Sequence, residues 1–224
     1  MKESGHKPVG GDVASLVAQA AAGDPHALGE LLTQYEDRLL RAVTFRMDRR
    51  LRGRVDPTDI VQEAYVEATT RFETYARQPE MPFFLWLRFL TMQKLLQVHR
   101  EHFGVKARDV EREVSIYDVY SPQATSAVLA AQLLGKHTSP SQAAVRGEIQ
   151  HQLEQMLNVM EPIDREVLAL RHFEQLSNAE AARVLDINES AASSRYVRAI
   201  RRLKQLLETS KITKTRPADR PASH

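Results

Sequence analysis

Arg195, Arg198, Arg201 and Arg202 follow Ser190, Ser193 and Ser194 in one short stretch of the chain, with Glu189 just ahead of them. Guanidinium groups donate forked hydrogen bonds to phosphate oxygens, and short hydroxyl side chains reach the edges of bases. An arginine-rich helix face is more often merely solvated, so the surroundings decide what this one is for. Ser177 and Glu180 form a capping box, in which a serine ahead of a helix is answered by a glutamate three residues on. A compact apolar turn, Val184-Leu185-Asp186-Ile187, follows, and Asn188 is a good N-cap for the next helix. Ala192, Tyr196, Ile200, Leu203 and Leu207 then recur at three- and four-residue spacing and predict one buried face. The pattern over 177–207 is a helix-turn-helix whose basic second helix suits a DNA major groove. Its first turn would approach base edges while the arginines behind hold phosphate.

Two further groups sit in the first half of the chain. Asp59, Gln62, Glu63 and Glu67 are three or four residues apart and share a helix face. An acid in a first helical turn is explained by the helix dipole alone. A stripe two turns long reads better as a docking face for a basic partner, with a solvated face as the competing explanation. The stretch F-F-L-W-L-R-F-L-T-M-Q-K-L-L-Q-V-H-R is aromatic at its start and basic at its end. Phe84, Leu87, Thr91, Leu95 and Val98 make its buried stripe, while Trp86, Phe89, Gln93 and Arg100 fall elsewhere, with Arg88 and Lys94 supplying charge. Rings and cations together at a loop–helix junction suit unstacked single-stranded DNA, although any one ring is more often core. His99 and His102 stand at metal-ligand spacing, but no further acidic or cysteine ligands accompany them, so neither a metal nor a cofactor is expected.

These groups are carried by helices. Few β-branched runs and no strand-like alternation occur, so the fold class is all-α: two small helical domains joined by a flexible linker, the second ending in the helix-turn-helix. Residues 1–11 read as a disordered, polar N-terminus without the apolar core of a signal peptide. The first domain spans 12–104. Asp12 caps a helix that Gly23 closes, Asp24-Pro25 starts the next, and Asp56-Pro57 starts a third. A loop over 74–82 precedes the aromatic helix, which Pro82 opens. Residues 105–145, charged and then rich in Ser-Pro and small residues, read as a linker with at most one short helix around 124–134. The second domain spans 146–208, with Leu153, Met156, Leu157 and Met160 as one stripe and a helix restarting at Glu161-Pro162. Residues 209–224 read as a disordered basic tail.

The 224-residue chain has no cysteine, which fits a reducing cytoplasm, and no apolar run long enough to cross a bilayer. Its charge is uneven. From Arg195 onward it holds nine Lys or Arg against two Asp or Glu, while the first 194 residues hold 22 against 27. A nucleic-acid-facing C-terminal part and a front part with other contacts are implied.

The motifs D-P-T-D-I-V-Q-E-A-Y-V-E-A, F-F-L-W-L-R-F-L and I-D-R-E-V-L-A-L-R-H-F-E-Q-L-S-N-A-E-A-A-R-V-L-D-I-N, in this order and separation, resemble the extracytoplasmic-function class of bacterial sigma factors. These are the small two-domain members of the sigma-70 family, and the length leaves no room for the extra domains of the housekeeping members. The resemblance covers roughly residues 12–104 and 142–207. It implies a transcription initiation factor, not an enzyme, that binds the largest subunits of core RNA polymerase and directs them to promoter DNA, both duplex and melted strand. Cytoplasmic localisation and a regulatory partner, often an anti-sigma protein, are implied as well. Asp59, Gln62, Glu63 and Glu67 would meet the polymerase. Arg88, Phe89, Gln93, Lys94 and Arg100 would meet the melted −10 element, with Trp86 taken as core. Glu189, Ser190, Ser193, Ser194, Arg195, Arg198, Arg201 and Arg202 would read the −35 duplex. Three sites depart from the family pattern: Met92-Gln93 replace a common Arg-Asn pair, Ser193 a frequent lysine, and Asp186 the usual glycine of the turn. The last position is expected to need φ > 0. The family's base preferences therefore do not transfer. The competing readings are a helix-turn-helix repressor or activator with a helical sensor domain, and, more weakly, a metal-dependent hydrolase built on His99 and His102. A repressor has no use for both the acidic stripe and the aromatic-basic helix, and for a hydrolase the sequence offers no convergent carboxylate or glycine-rich phosphate loop.

Overall fold

A computed structural model describes residues 12–48, 50–51, 53–103, 122–133 and 143–214. Every regular element among them is helical. The chain divides into two compact units, Met1–Val119 and Tyr120–His224.

The first unit contains α1 (Val13–Ala21), α2 (Pro25–Arg46), α3 (Pro57–Arg77) and α4 (Phe83–Phe103). Each of the first three starts on an aspartate whose carboxylate accepts from a backbone N–H two residues on. The pairs are Asp12 with Ala14 at 3.3 Å, Asp24 with His26 at 2.8 Å and Asp56 with Thr58 at 2.9 Å. Between α1 and α2 the chain reverses through Gly23 at φ +97°, where a Cβ would be strained. α2 and α3 are further tied by the Tyr65 hydroxyl, which donates to the Leu32 carbonyl at 2.7 Å.

α4 is the centre of this unit. Phe83, Phe84, Leu85, Leu87, Leu90, Met92 and Leu95 are all buried, so the helix is covered on more faces than one amphipathic stripe predicts. Leu31, Leu39, Leu87 and Leu95 are wholly sequestered. Each such side chain contributes roughly 1.5–3 kcal/mol, more than a surface ion pair at up to about 1 kcal/mol. Packing rather than charge holds this unit together. At the start of α4 an aromatic cluster forms, in which Tyr75 stacks on Trp86 at 4.5 Å and meets the Phe83 ring edge-on at 5.8 Å. The loop expected over 74–82 is shorter than predicted, because α3 runs to Arg77 and carries Tyr75 within it.

The second unit contains α5 (Pro122–Leu133), α6 (Ala143–Asn158), α7 (Pro162–Leu168), a π-helical segment (Ala169–Phe173), α8 (Asn178–Val184) and α9 (Glu189–Lys214). α5 packs against α6 and buries Ser126, Val128, Leu129 and Ala130, so residues 122–133 belong to this unit rather than to a linker. Of the rest of the expected linker, 143–145 belong to α6, and 105–121 and 134–142 lie outside the described residues, as do the N-terminus 1–11 and the tail from 215. α9 continues to Lys214, beyond the boundary at 208 where the sequence placed its end.

Arg165 joins α6 to α7. It is buried, and its Nη1 donates to the carbonyls of Leu157 at 2.9 Å and Met160 at 2.6 Å. These acceptors are the ones a helix C-terminus leaves unsatisfied, and a cation there also complements the helix dipole. The capping box forms: the Glu180 N–H donates to Ser177 Oγ at 3.1 Å and the Ser177 N–H to Glu180 Oε2 at 2.7 Å. Asn188 caps α9 by accepting from the Ala191 N–H at 2.7 Å, and Asn178 Nδ2 donates to the Glu189 carbonyl at 2.9 Å, joining the starts of α8 and α9. Asp186 has φ +51°, the left-handed conformation expected of it, and Gln175 matches it at φ +58° on the other side of α8.

One part of the predicted register differs. Ile200 is 38% exposed, whereas Ala199 is fully buried, so the buried row of α9 runs Ala192, Ala199 and Leu203 with Tyr196 half-buried beside it. Ala199, rather than the larger Ile200, occupies the row facing the interior, and Ile200 turns outward.

Two stability experiments follow from these contacts. Relieving the left-handed aspartate with Asp186→Gly recovers about 1 kcal/mol of strain, partly offset by the entropy of glycine. A rise in melting temperature of about 2–4 °C is expected by calorimetry. In the first unit, His99 is half-buried and its Nε2 lies 3.5 Å from the Asp48 N–H. Burial lowers its proton affinity, an effect only partly opposed by Asp48. Neutral His99 therefore contributes stability that is full above about pH 6.5 and lost as pH falls through the lower folded value. Thermal melts should show stability falling as pH drops below about 6.5, with a smaller fall in His99→Gln.

Candidate nucleic-acid interface

α9 exposes Glu189, Ser190, Ser193, Ser194, Arg198 and Arg201, and holds Arg195 and Arg202 half-buried. Ser193, Ser194, Val197, Arg198, Arg201, Arg202 and Gln205 line one open cleft along the helix. Of the predicted side chains, Ser193, Ser194, Arg198, Arg201 and Arg202 come together in this cleft, while Glu189, Ser190 and Arg195 do not line it. The serines occupy the first two turns, where the helix dipole favours anions, and the cations lie behind them.

The four arginines are not equivalent, which local spacing did not reveal. Arg195 Nη1 donates to Glu161 Oε2 at 3.2 Å and to Asp164 Oδ1 at 3.0 Å. Arg198 grips the same carboxylate side-on, Nε to Oδ2 at 3.1 Å and Nη2 to Oδ1 at 3.2 Å. Asp164 also raises the proton affinity of Arg198, through the hydrogen bonds first and its charge second. Arg202 Nη2 donates to the Val159 carbonyl at 3.3 Å, while Arg201 stands exposed. Asp164 itself is 3% exposed. Sequence reasoning missed it because an acid in the first turn of a helix is explained by the dipole, and its partners lie more than thirty residues away.

In the first unit Asp59, Gln62 and Glu63 are exposed on α3, with Val66 beside them at 69% exposure. Glu67 departs from the expectation of an open acidic stripe, since it pairs with Arg71 at 2.6 Å and with Lys94 of α4 at 3.2 Å. Lys94, expected to meet DNA, is thereby drawn onto α3. Arg88 is a clearer correction: at 2% exposure its guanidinium lies in the core of the unit and cannot reach a phosphate. Phe89, Gln93 and Arg100 do share one face of α4, half-buried in the first case and exposed in the others. Trp86, read as core, is half-buried against Tyr75. His102 Nδ1 lies 2.9 Å from the Val98 carbonyl and His99 faces Asp48, so the two rings are directed to different partners.

The inequality of the arginines separates their mutants. Arg198→Ala leaves the buried Asp164 short of its bidentate partner, with Arg195 alone still donating to it, and should lower the melting temperature. Arg201→Ala touches no such contact and should leave the melt unchanged within about 0.5 kcal/mol, while lowering the salt slope of duplex DNA binding by about 0.9. Calorimetry and a salt series by fluorescence anisotropy check the pair.

Residues 150–203, which include the helix-turn-helix, match the family described as "Sigma-70, region 4". The extracytoplasmic-function RNA polymerase sigma factor BldN of Streptomyces coelicolor is 29% identical over 192 residues, covering 86% of this chain and 64% of its own length. The chain thus spans somewhat under two thirds of BldN. The RNA polymerase sigma factor NccH of Alcaligenes xylosoxydans is 26% identical over 203 residues, covering 88% of this chain and 96% of NccH. Among solved structures, CnrH in complex with the cytosolic domain of CnrY shares the fold at a TM-score of 0.50 and 24% identity, covering 88% of this chain and 99% of that one. With the capped helix-turn-helix and the motifs of both units in place, the chain is similar along most of its length to extracytoplasmic-function members of the sigma-70 family, and residues 150–203 match that family's region 4.

Proposed function

We propose that this chain is a bacterial transcription initiation factor that binds core RNA polymerase and directs it to particular promoters. The observation that carries the reading is the exposed serine–arginine face of α9, presented by a helix-turn-helix inside the region that matches the sigma-70 family. Serine hydroxyls at the start of a helix with arginines behind them suit duplex DNA, where base contacts specify and phosphate contacts position. In this reading the second unit takes the −35 duplex through Glu189, Ser190, Ser193, Ser194 and Arg201, with Arg195, Arg198 and Arg202 framing them.

The first unit takes core polymerase through Asp59, Gln62 and Glu63. Their exposure supports this assignment, and so does Val66, a large apolar side chain left at the same surface. Glu67 is a weaker contributor because its charge is already matched twice. Phe89, Gln93 and Arg100 form the face of α4 suited to the melted −10 strand, by ring stacking and a phosphate contact. The protein performs no catalysis of its own in this scheme and works in the cytoplasm. No helix among the described residues is long and apolar enough to cross a membrane. A regulatory protein partner is expected as well, since its relative CnrH was solved bound to CnrY.

The decisive experiment is transcription by core polymerase with and without the protein on a library of promoter fragments. Stimulated initiation from a defined subset is expected. Polymerase binding without any stimulated initiation would favour a repressor or activator instead. Charge reversal by Glu63→Lys should weaken core-polymerase affinity about 10-fold and leave both duplex binding and the melting temperature unchanged. Loss of polymerase and DNA binding together would count against separate roles for the two units.

A further inference from the structure

Asp164 stands at the centre of the DNA-reading surface without belonging to the helix that carries it. Its side chain is 4% exposed, and its oxygens accept from Arg195 once and from Arg198 twice. Glu161, on the exposed side, takes a further hydrogen bond from Arg195. Two guanidinium charges are therefore balanced by two carboxylates within one contiguous cluster. Moving an arginine from Asp164 to a phosphate would strip a buried carboxylate of a partner in exchange for a contact at an exposed surface. The exchange is unfavourable, so these arginines stay with the protein.

We propose that Asp164, assisted by Glu161, is a specificity-determining positioning residue. It withholds Arg195 and Arg198 from the phosphate backbone, so that sequence-independent attraction is kept low and binding depends on the groups at the start of α9. Non-specific affinity comes almost wholly from the number of phosphates neutralised. A helix with four free arginines would hold any duplex. One with two of them internally balanced holds mixed sequence weakly and gains proportionally more from correct base contacts. The inference rests on the reading of α9 as the duplex-binding helix.

The test uses the full chain and two labelled duplexes: one of mixed sequence, and one selected from a random library by binding to the unaltered protein. Dissociation constants are measured by anisotropy over a salt series. Asp164→Asn keeps the size and hydrogen-bonding shape of the side chain and removes its charge. It should tighten mixed-sequence binding roughly 5–20-fold near about 100 mM salt and steepen the log–log salt slope by about 1–2. Discrimination between the two duplexes should shrink correspondingly. Glu161→Gln, at an exposed site that folding does not depend on, should tighten mixed-sequence binding roughly 2–3-fold with a slope change of under about 1. If Asp164→Asn fails to melt cooperatively, Glu161→Gln decides alone. A purely structural role for Asp164 would lower affinity for both duplexes without steepening either slope, and that result overturns the proposal. Unchanged slopes in both variants, with the unaltered chain binding duplex normally, overturn it too and leave the reading of α9 intact. No duplex binding by the unaltered chain would remove that reading and the proposal together.

Discussion

A chain built only of helices must satisfy the backbone at every helix end, and that constraint shapes both units of this protein. Each terminus leaves several N–H or C=O groups without intrahelical partners, and burying them unmatched costs about 1–3 kcal/mol apiece. The solutions are written at each boundary. Asp12, Asp24 and Asp56 take N–H groups at the starts of the first three helices, Ser177 and Asn188 do so in the second unit, and Arg165 takes carbonyls at the end of α6. Proline follows the cap in α2 and α3 and fixes the first helical φ. Since each cap also sets where the chain changes direction, these residues decide which faces meet.

Within the second unit the ordering of α9 is achieved from two ends. Its N-terminus is held by neutral hydrogen bonds, through Asn188 within the helix and Asn178 from α8. Its middle is held by charge, through Asp164 on α7. The two constraints lie about two turns apart along the helix, so they fix its rotation as well as its tilt. The same arrangement accounts for the small buried surface of α9. Ala192 and Ala199 let it lie close to its neighbours, and long polar side chains complete the contact where methyl groups end.

What was legible in the sequence was local. Capping residues act over two or three positions, and each of those recognised forms the expected hydrogen bonds. The positive φ of Asp186 was equally readable, because a tight turn between two helices demands it. The helix-turn-helix and the serine–arginine face followed from periodicity. The features that were not legible depend on partners distant in the chain. Arg88 looks like any surface cation until α4 is known to be covered on most sides. Glu67 and Lys94 each fit an interface until they are found 3.2 Å apart. Asp164 offers no signal in its own neighbourhood. Ile200 and Ala199 differ by a single step of 100°, and only the tertiary packing of α9 selects the smaller one. Helix 122–133 was read as linker because its small residues show no one-sided apolar stripe, although they pack against α6.

Ser190, Ser193 and Ser194 are exposed, whereas the residues that orient their helix lie elsewhere: Asn178, Asn188, Asp164 and the buried alanines. Presentation and content are therefore carried by different side chains. A single substitution among the three serines alters what the helix touches and leaves unaltered how it is held. On the proposed reading of α9, the preferred DNA sequence of duplicated copies can thus diverge by steps that are invisible to folding, while the scaffold positions stay under constraint. The surface is built to be rewritten one letter at a time.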